Sequence, residues 1–222
     1  MKDKKLLSDI KEYLKCYENQ VLEDWYELIR HISVSETGEG IETCCDWIQK
    51  KMEEIGIQVT KYSVKPAPVL VGRFGNDPEK KTVLIYAHYD VKPAGERKLW
   101  HSDPFVPTVR DGKVYARGSA DNKSPLMAHL KALEYFIRRK MEVPVNVIFV
   151  FEGDEECGSR GLEEFLAEHR TELAADLVFF SDGPKDPSGL PIIALGAKGD
   201  LSIHITVETM NRNVHGRYAP VL

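Results

Sequence analysis

Long apolar runs, paired cysteines and an excess of positive charge are all missing from this chain of 222 residues. No stretch approaches the ~20 apolar residues that cross a bilayer, so no membrane partner is expected. The four cysteines (Cys16, Cys44, Cys45 and Cys157) form neither a CxxC pair nor a paired framework. They read as reduced thiols of a cytoplasmic protein. Cys44 and Cys45 fall on the apolar face of a helical pattern and are read as small core residues rather than ligands. A net charge of −5 gives no reason to expect nucleic acid, which would call for a basic face. Internal repeats and low-complexity segments are absent too. The opening MKDKKLLSDIKEYL carries positive charge but neither an apolar centre nor a small-residue cleavage site, and does not read as a secretory signal. What remains, 42% hydrophobic and 29% charged residues, is the balance of an ordinary globular protein. The length suits one large domain, or one domain with part of another.

Over residues 3–31 apolar side chains recur at steps of three and four, predicting one long helix or two with a break near Glu18. Ile41, Cys44, Cys45, Ile48, Met52 and Ile55 predict a second helix, stopped by Gly56. From Ile57 the period falls to two, giving strands over 57–64 and 69–74 with Pro66 and Pro68 between them. The run Thr82 to Ala87 is continuously apolar, as in a strand covered on both faces, and Val145 to Phe151 reads as another buried strand. Between them lie a short strand over 113–116 and a helix from about Ser124. A helix over 159–169, a strand over 177–180, and strands over 191–195 and 201–207 complete the pattern. Alternating strands and helices predict an α/β fold, a sheet with helices on both faces. Such sheets bind ligands beyond the carboxyl ends of their strands. Those ends carry His88 and Asp90, Glu155 and Glu156, and Asp182, while the loop before one helix delivers Asp121. These groups should converge.

The stretch from Phe149 to Gly161, FVFEGDEECGSRG, runs a buried strand into four acids, Glu152, Asp154, Glu155 and Glu156. Like charges at that density repel, and removing them from water costs more, so something cationic should sit there. One histidine with several carboxylates suits divalent ions such as Zn²⁺, Mn²⁺ or Co²⁺. Two metals bridged by one carboxylate would absorb the repulsion. They would also generate a nucleophilic hydroxide, because metal binding lowers the pKa of water from about 15.7 to about 7. An adjacent Glu-Glu pair divides into one carboxylate on metal and one that takes the proton from water. His88 and Asp90, two apart in an extended segment, project to one side, so Asp90 can hold the imidazole. Asp154 is read as an acid at the rim, Glu152 as lying behind the ligands, and Cys157 as a packing residue. His31, His101, His129, His169 and His204 are read as structural or exposed.

Five motifs carry a resemblance. They are Ala87-His88-Tyr89-Asp90-Val91-Lys92-Pro93, Asp103-Pro104-Phe105, Tyr115 to Lys123 (YARGSADNK), Glu152 to Ser159 (EGDEECGS) and Ser181-Asp182-Gly183-Pro184. In this order, over about residues 20–215, the chain resembles the M20 metallopeptidase family. The likeness is to its dipeptidase branch, the carnosinase-like and cytosolic non-specific dipeptidases. The resemblance implies a three-layer, zinc-exopeptidase-like catalytic domain over residues 1–197 and the start of a smaller α+β lid domain over 198–222. It implies two divalent metal ions, Zn²⁺ first, with Mn²⁺ or Co²⁺ as alternatives. His88 and Asp182 would bind one metal, Glu156 the other, and Asp121 would bridge both. Asp90 would orient His88, Glu155 would be the general base and later the proton donor, and the Asp121-Asn122 peptide would be cis. Two departures stand out. Family members are longer, and a final metal-binding histidine comes from a part of the catalytic domain that follows the lid and is not in this sequence. The lid motif His-Ser-Gly reads Asn213-Val214-His215-Gly216-Arg217 here. His215 is assigned the oxyanion role of that motif, against the alternative of a solvated loop histidine.

The function expected is that of a dinuclear metal-dependent hydrolase cleaving dipeptides or short peptides, with a homodimer formed through the lid. The alternatives are an N-acyl amino acid deacylase or desuccinylase with the same chemistry, or an inactive metal-binding fragment lacking the last ligand.

Overall fold

The computed structural model describes residues 2–183, 188, 190, 192, 199, 201 and 203–207. The chain divides into two compact units, Met1–Gly183 and Pro184–Leu222. Every helix and strand among the described residues belongs to the first. None of the described helices is long and apolar enough to cross a membrane.

The N-terminal periodicity forms one unbroken helix, α1 (Lys2–Arg30), with no break at Glu18. The second becomes α2 (Ile41–Glu54), which buries Ile41, Cys44, Cys45, Ile48 and Met52 as its spacing requires. Strands β1 (Gln58–Tyr62), β2 (Val69–Phe74) and β3 (Thr82–His88) follow. A hairpin, β4 (Thr108–Arg110) and β5 (Lys113–Tyr115), turns through Asp111 and Gly112, both at positive φ (50° and 69°). That geometry matches a two-residue turn between right-twisted strands, and Asp-Gly is a sequence that adopts it. Next come α3 (Lys123–Arg138), β6 (Asn146–Glu152), α4 (Leu162–Glu168) and β7 (Leu177–Phe180). The helix expected over 159–169 begins three residues late, because Ser159 sits at φ 51° in the turn that follows β6.

The main sheet runs β1-β2-β6-β3-β7. β1, β2 and β6 pair antiparallel, whereas β3 lies parallel to both β6 and β7. Alternation along β6 explains its unbroken apolar run. Val147, Phe149 and Phe151 point into a core built with α1, α2 and α3, while Ile148 and Val150 face Phe165 of α4 and Leu173. Both faces are covered, so polar residues have no place on the strand. Phe149 and Phe151 are fully buried, and truncating either to alanine would cost about 3–5 kcal/mol.

The strand expected over 177–180 forms as β7 but, unlike β3 and β6, is not buried. It pairs with β3 alone among the described residues, and Leu177, Val178, Phe179 and Phe180 are all exposed. Among the described residues it stands at the edge of the sheet. Of the strands expected further on, 191–195 fall almost wholly outside the described residues. Residues 203–207 are irregular, with Ile203, Ile205 and Val207 exposed and no sheet partner among the described residues.

Candidate metal centre

Because β6, β3 and β7 are parallel neighbours, their carboxyl ends open on the same edge of the sheet. His88 is the last residue of β3 and is fully buried. Its Nε2 lies 3.0 Å from Asp121 Oδ1 and 3.2 Å from Asp182 Oδ2. One ligand atom from each of these three residues lies within 4.8 Å of the others. Ligands ~2.1 Å from a tetrahedral ion are separated by about 3.4 Å, so the observed spacings suit one ion held by an imidazole and two carboxylates.

The supporting frame is built from backbone. Ser33, just after α1, donates its hydroxyl to the Tyr89 carbonyl (2.6 Å) and accepts the Val91 amide on its own carbonyl (2.8 Å). Tyr89 in turn donates its amide to the Glu152 carbonyl at 2.8 Å, tying β3 to the end of β6. Gly153 follows. A Cβ there would lie 2.5 Å from the Tyr89 ring, so the close approach of these two loops requires glycine. Lys123 is buried at the start of α3 and donates to the carbonyls of Leu28 (3.1 Å) and His31 (2.6 Å). These are carbonyls that a helix end leaves without intrahelical partners. The end of α1 thereby holds both loops that carry His88 and Asp121. The Asp121-Asn122 peptide is cis.

Asp90 is fully buried and touches more than the imidazole. Its Oδ1 lies 3.3 Å from His88 Nδ1, and its two oxygens accept the backbone amides of Glu155 (3.2 Å) and Glu156 (3.1 Å). One carboxylate thus orients the histidine and the Glu-Glu pair together. Burial raises the Asp90 carboxyl, but hydrogen bonds from His88, Ser35 and the Glu156 amide outweigh it and hold the group below the usual carboxylate range. For His88 the balance runs the other way. Burial alone would lower its pKa, yet the hydrogen bond and charge of Asp90, then Glu155 and Asp182, push it up to about 9. The surrounding carboxylates favour positive charge at this point, and a divalent ion at Nε2 competes with a proton for it.

The four acids after β6 have unequal surroundings. Glu155 is partly exposed, with Oε2 3.7 Å from His88 Nε2. Burial, opposed by His88 but reinforced by Glu156, Asp182 and Asp90, raises its carboxyl. Glu156 lies outside the trio; its side chain is largely covered, and Oε2 is 3.5 Å from Lys92 Nζ. Glu152 is buried, accepts hydrogen bonds from Tyr86 and from Ser159 (2.8 Å), and is raised chiefly by burial. Asp154 is not a rim acid. It is 4% exposed and gripped by Arg160, whose Nε and Nη2 reach its two oxygens at 2.9 and 2.6 Å. The turn at Gly158 and Ser159 brings Arg160 back to it. Such a bidentate pair satisfies the buried charge locally and leaves it nothing to offer a metal.

His88, Asp90, Asp121, Glu155, Glu156 and Asp182 are therefore gathered at one end of the sheet, with His88, Asp121 and Asp182 in mutual reach. His215 lies outside the described residues. Sequence reasoning missed the holding roles of Ser33, Lys123 and Arg160. Lys123 stands inside one of the motifs, but a lysine in a first helical turn carries no signal of burial.

The sequence pattern of Peptidase family M20/M25/M40 matches residues 84–220. The chain is 40% identical over 171 residues to the Cys-Gly metallodipeptidase dug1 of Schizosaccharomyces pombe, covering 74% of this chain and 36% of that protein. It is 35% identical over 158 residues to the Beta-Ala-His dipeptidase of Mus musculus, covering 70% and 32% respectively. The crystal structure of human carnosine dipeptidase 1 superposes with a TM-score of 0.76 at 29% identity, over 80% of this chain and 41% of that one. The chain spans about a third of the length of these two curated relatives.

Proposed function

The chain belongs to Peptidase family M20/M25/M40, and from that premise we propose that it carries the catalytic centre of a metal-dependent hydrolase of dipeptides or short peptides. The observation that carries this reading is the meeting of His88, Asp121 and Asp182 beside Glu155 at the carboxyl ends of parallel strands. The relatives named for Cys-Gly and Beta-Ala-His cleavage support a dipeptide as substrate.

In this reading His88 and Asp182 would hold one divalent ion and Glu156 a second, with Asp121 shared between them. The family resemblance puts Zn²⁺ first; one imidazole with several carboxylates suits Mn²⁺ or Co²⁺ equally well. Bound there, such ions supply Lewis acidity toward a carbonyl oxygen and acidify water. Glu155 takes a proton from the attacking water and returns it to the departing amine. Its raised carboxyl moves it toward the neutral range, where a general base works best. Asp90 keeps the His88 ring turned toward the ligands and fixes the backbone from which Glu155 projects. His215 as oxyanion donor, and a homodimer through the segment from 198 onward, belong to the same reading and rest on the family resemblance. The four free cysteines support a cytoplasmic location.

The Glu155→Gln variant tests the assignment. It should bind Zn²⁺ as the unaltered chain does while hydrolysis of Cys-Gly and β-Ala-His falls by roughly 10²–10⁴-fold. Unchanged turnover removes Glu155 from the role of base. A panel that also contains N-acetyl and N-succinyl amino acids decides the substrate class, and preferential cleavage of those would replace the dipeptidase reading with a deacylase.

A further inference from the structure

Asp182 follows a strand that is poorly equipped to hold it. β7 pairs on one side only among the described residues, and all four of its side chains are exposed. A strand with so little burial opens readily and would not by itself fix a ligand. The residue between β7 and Asp182 is Ser181, and α3 reaches it at two points. Asn122, at the N-cap of α3 and buried, directs its Nδ2 at the Ser181 carbonyl at a long 3.5 Å. His129, two helical turns further along the same face, places Nε2 2.5 Å from Ser181 Oγ. Its ring meets Phe179 edge-on with centroids 5.4 Å apart. Burial lowers the His129 pKa, so the imidazole is neutral at pH 7 and exchanges one ordinary hydrogen bond with the hydroxyl.

Asn122 is the neighbour of Asp121, and Ser181 the neighbour of Asp182. The contact between them joins the two carboxylates of the trio by one residue on each side, and His129 locks the same serine from the side chain. We propose that His129, with Asn122, is a positioning residue for Asp182, holding that carboxylate in register with His88 and Asp121 across the gap between α3 and β7. This rests on the metal-site reading above. It gives His129 a part that neither helical periodicity nor an apolar environment accounts for.

The experiment is Zn²⁺ binding by calorimetry to the whole chain and its variants, with the melting temperature of each chelated sample. His129→Phe keeps the packing on Phe179 but loses the ring nitrogen, and Ser181→Ala loses the hydroxyl. Each should raise the Zn²⁺ dissociation constant by roughly 10–100-fold, the range for residues that orient ligands, with little change in melting temperature. The double variant should be no weaker than the worse single, since both cut one contact. His129→Gln, which keeps an N–H near the same place, should recover most of the affinity. Unchanged affinity in both singles, or losses that simply add in the double, overturns the proposal. The reading of the site is judged separately, by the unaltered chain against His88→Ala. If those two bind Zn²⁺ alike, the site reading fails. The clamp then stands or falls on hydrogen exchange of residues 180–183, which must be faster in His129→Phe than in the unaltered chain.

Discussion

Asp90 is the single side chain on which most of the site depends. It is fully buried and anchors His88 Nδ1 at 3.3 Å and two amides at 3.2 and 3.1 Å. Asparagine has the same shape but only one acceptor oxygen, so its NH₂ must face either an amide N–H or the imidazole. Asp90→Asn should therefore weaken Zn²⁺ binding by about 10–100-fold and slow hydrolysis alongside it, while the fold survives. Calorimetric titration with Zn²⁺ checks this, and an unchanged affinity would mean that the backbone carbonyl of Asp90, 3.2 Å from His88 Nδ1, orients the ring without the carboxylate. The link from Asp90 to His88 was legible, because two residues apart in extended chain share a side. Its hold on Glu155 and Glu156 was not, since those amides come from 65 and 66 positions away and backbone donors leave no trace in a sequence. Asp154 was misread for a related reason. An acid in a run of acids looks solvated until the turn at Ser159 returns Arg160 to it.

At the scale of elements, the continuous apolar runs located β3 and β6 almost to the residue, because a strand with a core on each side admits no alternation to blur. β7 has the same composition, and nothing in its four residues announces that it stands at an edge. Helix contacts were equally hidden. Asp24 of α1 accepts from Lys51 of α2 (3.3 Å) and from Lys131 of α3, and Lys131 also meets Glu134 at 2.6 Å. Three amphipathic helices are thus joined by charge where their apolar stripes end. Burial pushes the Asp24 carboxyl up, but the hydrogen bond and charge of Lys131, then Lys51, outweigh it and leave the group below its ordinary range. A depressed carboxyl contributes stability that is fully present above its unfolded pKa of about 3.9 and is lost as pH falls through the lower folded value. Asp24→Asn should cost about 1–3 kcal/mol at pH 7 in urea unfolding. The gap between variant and unaltered chain should narrow as pH falls below the ordinary carboxylate range and through the lower folded value. A gap that persists in acid would assign the effect to packing rather than to charge.

At the scale of the first compact unit, the site is assembled from segments remote in sequence. His88 ends β3, Asp121 precedes α3, the Glu-Glu pair follows β6 and Asp182 follows β7. Their convergence was legible because parallel neighbours in a sheet end on one side, whatever lies between them. The same arrangement makes the folded sheet a precondition for binding at the proposed site, since an unfolded chain has no means of bringing His88, Asp121 and Asp182 together. A ligand that binds only the folded form stabilises it by about 2.7 kcal/mol at a free concentration 100 times its dissociation constant. For a chain of this size that corresponds to a rise in melting temperature of roughly 5–10 °C. Scanning calorimetry of chelated protein, with and without added Zn²⁺, should show this shift, and His88→Ala should abolish it. A shift of the same size in the His88→Ala variant would place the stabilising ion elsewhere on the molecule. A shift that survives His88→Ala but vanishes in Glu156→Ala would move the principal site to the far side of Asp121.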